Sequence, residues 1–475
     1  MTNTEKTQVI VLGGGPGGYA AAFLAADLGL EVTLVEKRES FGGVCVYEGC
    51  IPSKALLHAA ELIRESQHAA AWGLNFGKPE IDLDKLRAWK DQIVKQLTGG
   101  TGQLGKARKV NHVKGTGTLQ DHQHLLVELN DGGQKMLEFE HLILATGSHP
   151  IVLPFLPKSE RIMDSTDALE LKDIPESLLV LGGGYIGLEM ATFYSALGSK
   201  VTVVEMMDSL LAAADDDLVK PLHKRVKGYF EDILLSTKVT GAKEVDNGLE
   251  VAFEDAEGKA FTRHFDKMLV SVGRRPNSRG IGLENTDVKV DEQGFVSVDK
   301  QLKTNVSSIY AIGDLVGQPM LAHKASHEGR VAAEVIAGHK VTFEPYAIPA
   351  VVFTDPEVAW CGLTEKEAKA QGKTVSVAKF PWAASGRALT LDRTEGLTKL
   401  IIDPETERIL GVGIVGKGAG ELIAEGTLAV EMAAVASDVK LTIHAHPTLS
   451  ETVMESAEVH FGESTHVYRP KRKKA

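Results

Sequence analysis

The chain has 475 residues and carries 64 acidic against 52 basic side chains, which gives a net charge of −12 at pH 7. This length exceeds what one hydrophobic core supports and indicates roughly three domains. The acidic balance argues against a nucleic-acid-binding surface. No apolar run reaches the roughly 18 residues that a membrane span needs. The apolar start Val9–Leu12 gives way at once to glycines, which is typical of a buried strand and not of a signal peptide.

Cysteine is rare in this sequence, with only Cys45, Cys50 and Cys361. A secreted disulfide scaffold carries many more, so we expect a reducing, cytoplasmic location. In that compartment the close pair Cys45 and Cys50 indicates catalysis or metal binding before a structural disulfide. For Cys361 we expect a buried thiol.

An internal repeat organises the chain. Each copy reads as a short apolar strand, a glycine-rich turn, a helix and a second apolar strand that ends in glutamate. The copies run from Val9 to Glu36 and from Leu178 to Glu205, and in both of them 23 positions separate the first glycine from the closing glutamate. Units of this kind, with fully buried strands, predict parallel sheets.

The glycine spacing in both turns is that of a dinucleotide-binding turn. The first glycine permits the tight turn, the second lets the backbone approach a pyrophosphate, and the third allows close packing of helix on strand. The helix N-terminus attracts phosphate, and the closing glutamate accepts hydrogen bonds from a ribose. An ordinary strand–helix turn would explain one copy, whereas two copies in the same register predict two bound dinucleotides. The residues concerned are Gly13, Gly15, Gly18 and Glu36 in the first copy and Gly182, Gly184, Gly187 and Glu205 in the second.

The residue after the second closing glutamate bears on the choice of nucleotide. It is Met206, and no arginine directly follows Glu205 to receive a 2′-phosphate. The second turn therefore favours NAD over NADP.

The other segments predict an α/β chain with a separate α+β domain at its end. We expect a long charged helix over residues 81–98, a hairpin from Leu125 to Phe139 and a buried strand Leu142–Leu144, and the hairpin-then-strand pattern recurs before Met268–Val270. After about residue 345 the sequence predicts antiparallel strands Thr398–Ile402 and Ile409–Ile414 and then a helix from Glu421 to about Ala436.

The two neighbouring cysteines lie just ahead of the helix-forming run Ala55–Ile63. Cysteines five positions apart can be bridged where they straddle the irregular start of a helix, and a helix N-terminus favours the reactive thiolate. Two buried cysteines or half of a zinc site are alternative interpretations, although zinc would need two further ligands.

Several segments together resemble the FAD-dependent pyridine nucleotide–disulfide oxidoreductases over essentially the whole chain. The stretch from Gly42 to Lys54 resembles that family's redox-active disulfide signature, with Tyr47 and Glu48 in place of the asparagine and small apolar residue expected there. The further matches, in family order, are Ala145–Ser148, Val272–Asn277, Thr304–Asp314 and His444–Glu451.

The resemblance implies a fold of two Rossmann-like dinucleotide-binding domains, for FAD and NAD, and a C-terminal α+β dimerisation domain. The expected limits are 1–150 for the first part of the FAD-binding domain, 151–275 for the NAD-binding domain, 276–345 for the central, FAD-binding part and 346–475 for the interface domain. The implied assembly is a homodimer.

The resemblance also implies roles for single residues. Cys45 and Cys50 would form the redox disulfide, and His446 with Glu451 the catalytic dyad that acts on the disulfide of the partner subunit; a carboxylate on one ring nitrogen raises the basicity of the other. His444 is expected to be structural. The implied cofactor contacts, without a metal, are Lys54 with its ion-pair partner Glu189, Thr146, Gly147, Ser148, Gly273, Arg274, Asp314, the backbone contacts Gly117 and Ala322 to the flavin, and Val239 beside NAD.

The sequence discriminates between four branches of this family. Glutathione-type reductases use NADP, whereas the second turn here favours NAD. Mercuric reductase and large thioredoxin reductases carry an extra thiol or selenol pair near the C-terminus, whereas the last cysteine here is Cys361. Transhydrogenases lack the cysteine pair that is present here. The remaining branch oxidises protein-bound dihydrolipoamide and reduces NAD+. It serves 2-oxoacid dehydrogenase or glycine cleavage complexes, so the expected partners are lipoyl domains of the acyltransferase components and the glycine cleavage H protein.

Other functions remain open at this point: another flavoprotein disulfide reductase, a non-catalytic redox sensor that binds FAD and NAD, and a metal-binding protein that uses the cysteine pair. The basic stretch Pro470–Lys474 is interpreted as a solvated tail, with docking on an acidic partner as the alternative.

Overall fold

The computed structural model describes residues 4–468. The basic stretch Pro470–Lys474 lies outside the described residues, so its interpretation stays a prediction. Among the described residues, no helix is long and apolar enough to cross a membrane.

The first copy of the repeat lies at the centre of the first sheet. The strands of this part of the chain are β1 (Thr4–Leu12), β2 (Val32–Val35), β3 (Asn111–Val113), β4 (Gly115–Leu119), β5 (His124–Leu129) and β6 (Gln134–Leu144), and its helices are α1 (Pro16–Asp27), α2 (Gly43–Glu48), α3 (Cys50–His68) and α4 (Leu83–Ala107). The strand order is β3-β2-β1-β6-β5-β4. Neighbouring strands from β3 to β6 are parallel to one another. Strand β5 is antiparallel both to β4 and to the first half of β6. The strand predicted over Leu142–Leu144 is the end of β6, the second arm of the predicted hairpin.

The second copy of the repeat builds a separate parallel sheet. The strands here are β7 (Ser148–Pro150), β8 (Ile162–Met163), β9 (Ser177–Leu181), β10 (Lys200–Val204), β11 (Asp232–Leu234), β12 (Lys238–Val245), β13 (Gly248–Glu254), β14 (Ala260–Phe265), β15 (Lys267–Val270) and β16 (Arg274–Pro276), and the helices are α5 (Ser165–Glu170), α6 (Tyr185–Leu197) and α7 (Asp216–Val226). The parallel sheet has the order β11-β10-β9-β15-β8, and β12, β13 and β14 form an antiparallel sheet beside it. β16 pairs with β7.

The chain then returns to the first sheet. Strand β17 (Ile309–Ala311) pairs with the end of β6, and helix α8 (Ala322–Ile336) packs along α1. The two helices approach closely because both carry glycine: a Cβ on Gly329 would lie 2.4 Å from the Gly17 carbonyl oxygen. This contact sets the start of α8 beside the first glycine-rich turn.

The last part of the chain is the predicted α+β unit. Its strands are β18 (Ala350–Val352), β19 (Glu357–Gly362), β20 (Ser376–Pro381), β21 (Leu397–Ile402) and β22 (Ile409–Gly416), and its helices are α9 (Glu365–Ala370), α10 (Gly386–Thr390), α11 (Ala419–Glu431), α12 (Ala436–Leu441) and α13 (Glu451–Phe461). The sheet is antiparallel with the order β18-β19-β22-β21-β20, which confirms the predicted pairing of β21 with β22.

Two predicted helix limits were wrong. The helix expected to continue to about Ala436 ends at Glu431, because Ala433 has a left-handed backbone (φ 55°), and Ala436 begins α12. The helix expected over 81–98 begins at Leu83, with the Asp82 side chain accepting from the Lys85 amide, and continues to Ala107. Its glycine-rich end packs as a helix because the absence of a side chain lets it approach its neighbours. A Cβ on Gly105 would lie 2.5 Å from the Phe41 ring.

Candidate active site

The first glycine-rich turn is closed by backbone contacts that only glycine allows. Gly13 has φ +108°, and a Cβ there would lie 2.3 Å from the Ala145 carbonyl oxygen. A Cβ on Gly18 would lie 1.9 Å from the Gly13 oxygen, so α1 packs directly on the turn. Gly15 faces open space towards Gly43, whose Cα would be 4.0 Å from an added Cβ. The open position is the one at which the pattern lets the backbone approach a pyrophosphate.

The closing glutamates of both copies make the same pair of hydrogen bonds. The Glu36 carboxylate accepts from the amides of Gly14 (2.8 Å) and Arg38 (3.0 Å). The Glu205 carboxylate accepts from the corresponding amides of Gly183 (2.7 Å) and Met207 (2.8 Å). Each carboxylate is therefore held at the mouth of its turn.

The second turn repeats the packing of the first. Gly182 has φ +110°, and a Cβ there would lie 2.6 Å from the Ser271 oxygen. A Cβ on Gly187 would lie 2.2 Å from the Gly182 oxygen, whereas one on Gly184 would meet no heavy atom within 4 Å. Both copies thus present an open second glycine at a helix N-terminus, which suits a phosphate group.

One cavity of about 1380 Å³, including the open space at its mouth, joins the first turn to the cysteine pair. Its lining runs from the open glycine cradle to the cysteine pair, which fits an extended dinucleotide with a ring system at the cysteine end. Of the predicted site residues, those that line it are Gly13, Gly15, Gly18, Glu36, Cys45, Cys50, Lys54, Thr146, Gly147, Ser148, Glu189, Arg274, Asp314 and Ala322.

Seven predicted contacts do not line this cavity. Gly182, Gly184, Gly187 and Glu205 form the second turn, and Val239 follows it on β12. Gly117 lies within β4, where a Cβ would be 2.8 Å from Leu12 Cδ1. Gly273 has φ +129° just before β16. The cofactor roles of these seven residues, like those of the residues that line the cavity, stay predictions.

The cysteines lie on either side of a break between two helices. Cys45 is in α2, Cys50 is the first residue of α3, and Gly49 separates the helices. Both are free thiols. A hydrogen bond from the Cys45 thiol, with help from the charge of Lys54, lowers the pKa of Cys50 to about 7. The same hydrogen bond, together with burial, raises the pKa of Cys45. In the reduced pair, Cys50 is thus the thiol that loses its proton more readily.

An ion pair lies one helical turn beyond the cysteines. The Lys54 ammonium is 2.8 Å from the Glu189 carboxylate of α6, which also accepts from Ser53 Oγ (2.8 Å) and from the Phe353 amide (3.1 Å). The Lys54 ammonium lies 4.5 Å from the centre of the Phe353 ring. The pairing of Lys54 with Glu189 agrees with the sequence-based expectation, whereas the contacts of Ser53 and Phe353 with Glu189 were not predicted.

A second polar group lies beside the returning chain. The Asp314 carboxylate accepts from Ser148 Oγ, and Arg274 donates to Ser148 through Nε and Nη2, both at 2.7 Å. The Gly313 amide donates to Glu328, which is buried on α8 and ion-paired with Lys324 at 2.7 Å. The spacing of four residues between Lys324 and Glu328 was the one signal that could have found this pair.

The histidine dyad is assembled in the C-terminal unit. His446 Nδ1 lies 2.9 Å from Glu451 Oε1, and the other carboxylate oxygen accepts from the Thr448 amide at 2.7 Å. Burial alone would raise the pKa of Glu451, but the hydrogen bonds from Thr448 and His446 lower it. The carboxylate thus stays charged against the ring, which leaves Nε2 free to accept a proton.

The dyad is separate from the cysteine cavity within one chain. The His446 side chain is 75% exposed and does not line that cavity. His444, by contrast, is buried between Glu425 (2.7 Å) and the Thr442 carbonyl oxygen (2.9 Å), as expected of a structural histidine. Large exposed apolar side chains precede the dyad, namely Leu428, Met432, Leu441 and Ile443.

One further cluster of acids holds a lysine. Asp215, Asp217 and Glu365 lie close enough together to ligate a metal. The Lys399 ammonium lies between them, at 2.6, 2.7 and 2.8 Å, and its side chain is only 1% exposed. The cluster therefore joins α7 to the C-terminal sheet through an internal cation. Cys361 is buried, as expected, and burial raises the pKa of its thiol to about 11.

Comparisons with known proteins agree with this arrangement. The family model described as pyridine nucleotide-disulphide oxidoreductase matches residues 7–329, and that family's dimerisation domain matches residues 348–457. Among curated relatives, a dihydrolipoyl dehydrogenase of Vibrio parahaemolyticus is 53% identical over 98% of each chain. Relatives of the same name are 52% identical in Vibrio cholerae (100% of each chain) and 46% identical in Geobacillus stearothermophilus (97% of this chain and 98% of that one).

Two solved structures share the whole fold. LpdA from Mycobacterium tuberculosis superposes with a TM-score of 0.88 at 26% identity and covers 95% of this chain and 99% of its own. The HOCl-induced flavoprotein disulfide reductase RclA from Escherichia coli superposes with a TM-score of 0.83 at 27% identity, over 94% of this chain and 98% of its own.

Proposed function

The chain belongs to the pyridine nucleotide–disulphide oxidoreductase family, and on that premise we propose that it is a dihydrolipoyl dehydrogenase. The observation that carries the proposal is the placing of Cys45 and Cys50 in one cavity with a dinucleotide-type turn. Relatives with this name align with essentially the whole chain at about half identity, which supports the choice within the family.

We infer two cofactors, FAD in the cavity and NAD at the second turn. Gly13, Gly15 and Gly18 would hold the flavin's pyrophosphate, Glu36 its ribose, and Asp314 with Ser148 its ribityl chain. Bound FAD supplies the electron transfer between the thiol pair and the nicotinamide. For the nicotinamide nucleotide, the carboxylate of Glu205 and the exposed Met206 support NAD, because a 2′-phosphate would meet a negative charge and a methionine in place of an arginine.

The chain's own chemistry is thiol–disulfide exchange. A dihydrolipoyl thiol gives its proton to His446, and the thiolate attacks Sγ of Cys45, so that a mixed disulfide forms while the Cys45–Cys50 bond breaks. Cys50 leaves as a thiolate, which its pKa of about 7 favours. The second lipoyl thiol then attacks the mixed disulfide and closes the lipoyl ring, while Cys45 leaves and takes up a proton. The substrate has lost two electrons, and the cysteine pair has gained them.

The base in this step is supplied by a second copy of the chain. His446 lies outside the cavity of its own chain and is largely exposed, and the C-terminal unit matches a dimerisation domain. A homodimer with this surface at its interface would bury the apolar side chains before the dyad and carry each His446 to the other cavity.

Lipoyl groups reach such a site on protein arms, so we infer lipoyl domains of 2-oxoacid dehydrogenase acyltransferases, or the glycine cleavage H protein, as partners. The sequence has only three cysteines, which supports a reducing cytoplasmic location.

One assay tests the function. Steady-state rates are compared for dihydrolipoamide with NAD+ and for oxidised glutathione with NADPH. The proposal expects turnover with the first pair and little with the second. The reverse preference, or a protein that is purified without flavin, would refute it.

A further inference from the structure

Arg38 contacts both residues at which the disulfide loop departs from the family pattern. Its guanidinium lies 2.8 Å from the Glu48 carboxylate and 4.5 Å from the centre of the Tyr47 ring. The Tyr47 hydroxyl in turn donates to the Ser40 carbonyl oxygen at 3.2 Å. Arg38 therefore closes the loop between β2 and α2 on itself.

The same residue also holds the carboxylate at the mouth of the first turn. The Arg38 amide donates to Glu36 at 3.0 Å, so its backbone binds the turn while its side chain binds the end of α2. The start of α2 rests on that turn as well, because the Gly42 amide donates to the Gly14 carbonyl oxygen at 2.7 Å. The helix is thus attached to the turn at both of its ends.

Helix α2 needs such support. It has six residues, whereas isolated helices shorter than about 12–15 residues are marginal in water. It carries Cys45, and when the disulfide is reduced the two cysteine side chains lose their direct bond, so that only the backbone through Gly49 joins α2 to α3. The orientation of α2 on that short connection, and with it the approach of the Cys45 thiol to Cys50, then depends on noncovalent contacts.

We propose that Arg38 is a positioning residue that clamps α2, through Glu48 and Tyr47, so that Cys45 stays against Cys50 in the reduced enzyme. This inference rests on the proposed function, since it gives the clamp a role in the dithiol state. It also gives Glu48 a structural role. Arg38 compensates the negative charge of Glu48, so this charge does not disfavour the thiolate.

The test is a pH titration of the Cys50 thiolate in two-electron-reduced holoenzyme, followed by the long-wavelength absorbance that a thiolate beside a flavin produces. Arg38 and Glu48, which the variants change, line the same cavity as Cys50. The other charged or titratable groups that interact with Cys50 are Cys45 on α2, Lys54 on α3, Tyr185 and Glu189 on α6 and Tyr19 on α1. None of them is changed by the variants, which are compared at equal bound flavin.

Glu48→Ala separates the clamp from simple electrostatics. Loss of a negative charge alone would lower the pKa of Cys50, whereas loss of the clamp should raise it by about half a pH unit or more. Arg38→Met should raise it similarly, and the double variant should raise it no further than either single one, because the two changes break one contact. Arg38→Lys, which keeps the ion pair and loses the planar stacking, should give a smaller shift.

Arg108→Met is the matched control. Arg108 likewise pairs with a carboxylate, that of Asp27 at 3.0 Å, and lies 5.1 Å from the centre of the Phe23 ring. Both of these partners belong to α1 and not to α2. Arg108→Met should therefore leave the titration of the Cys50 thiol unchanged. A lowered pKa in Glu48→Ala, additive shifts in the double variant, or an equal shift in Arg108→Met would each overturn the clamp. Dihydrolipoamide oxidation by the unmodified enzyme tests the proposed function separately.

Discussion

The ammonium of Lys54 and the carboxylate of Glu189 lie 2.8 Å apart and connect the helix that carries Cys50 to the helix that begins at the second glycine-rich turn. The two residues are 135 positions apart in the chain. Their contact places the cysteine end of the first cavity against the second nucleotide-binding unit.

Replacement of Glu189 by alanine should therefore weaken both folding and catalysis. The change leaves Lys54 and Ser53 without their shared acceptor, and we expect it to lower the free energy of unfolding by about 1–3 kcal/mol, because Lys54 keeps access to water. Glu189→Gln, which keeps an acceptor of the same shape, should lose less. Chemical denaturation of both variants measures the difference; equal losses would show that the charge, and not the acceptor, is what matters.

Replacement of His446 tests the base. A general base contributes roughly 10²–10⁴-fold, so His446→Gln should reduce dihydrolipoamide turnover by about that factor while flavin content stays the same. His444→Gln is the control, because His444 is held by Glu425 and Thr442 away from solvent; its turnover should fall by less than about 10-fold. An unchanged rate in His446→Gln would remove this residue from the mechanism.

Replacement of Cys45 separates the two half-reactions. Cys45→Ser removes the sulfur that the substrate attacks, so oxidation of dihydrolipoamide should be abolished. Oxidation of NADH by an artificial acceptor does not need the sulfur pair and should persist. Cys361→Ser, a change at the buried third cysteine, is expected to support both reactions. Normal dihydrolipoamide oxidation by Cys45→Ser would contradict the exchange mechanism.

Nucleotide choice should depend on the charge at Glu205. The double variant Glu205→Ser/Met206→Arg replaces a carboxylate and an exposed apolar side chain by groups that can bind a 2′-phosphate. A hydrogen bond to a charged group is worth about 1.5–3 kcal/mol, so the ratio of kcat/KM for NADP+ over NAD+ should rise roughly 10–100-fold. Glu176→Ser, just before β9 and at the end of the sheet opposite to the second turn, should leave the ratio as it is. An unchanged ratio in the double variant would show that recognition lies elsewhere.

The buried Lys399 should be important for the junction of α7 with the C-terminal sheet. Lys399→Met leaves three carboxylates facing one another, and removal of one partner from a buried charged group costs about 3–5 kcal/mol of unfolding free energy. Lys379 contacts two of the same acids but is one-third exposed, so Lys379→Met should cost less than about 1 kcal/mol. Thermal unfolding of the two variants should rank them in this order.

The stability from this cluster should also depend on pH. Burial would raise the pKa of Asp217, but hydrogen bonds from Lys379 and Lys399 lower it below its ordinary value. A carboxylate with a depressed pKa in the folded state stabilises the fold above its unfolded pKa of about 4, and that contribution is lost as the pH falls through the folded value. The difference in unfolding free energy between the unmodified protein and Lys399→Met should therefore shrink below about pH 4. A difference that grows on acidification would contradict this assignment.

The sequence by itself determined the strand–turn–helix repeats, the glycine turns with their closing glutamates and the cysteine pair at a helix start. These features depend on contacts within a few residues or within one supersecondary unit, so residue type and spacing encode them. The ends of helices were less certain: the stretch after Glu431 and the glycine-rich end of α4 depend on how the chain packs, and local propensity was wrong about both.

Only the tertiary structure decided which distant groups share a site. It placed Ser53 and the Phe353 amide on Glu189, positioned Lys399 among three acids and connected Arg38 to the redox helix. Such contacts join segments far apart in the sequence, and their free energy depends on how helices and sheets dock against one another. Residue spacing does not predict that docking, because the docking depends on how the separate hydrophobic cores pack together.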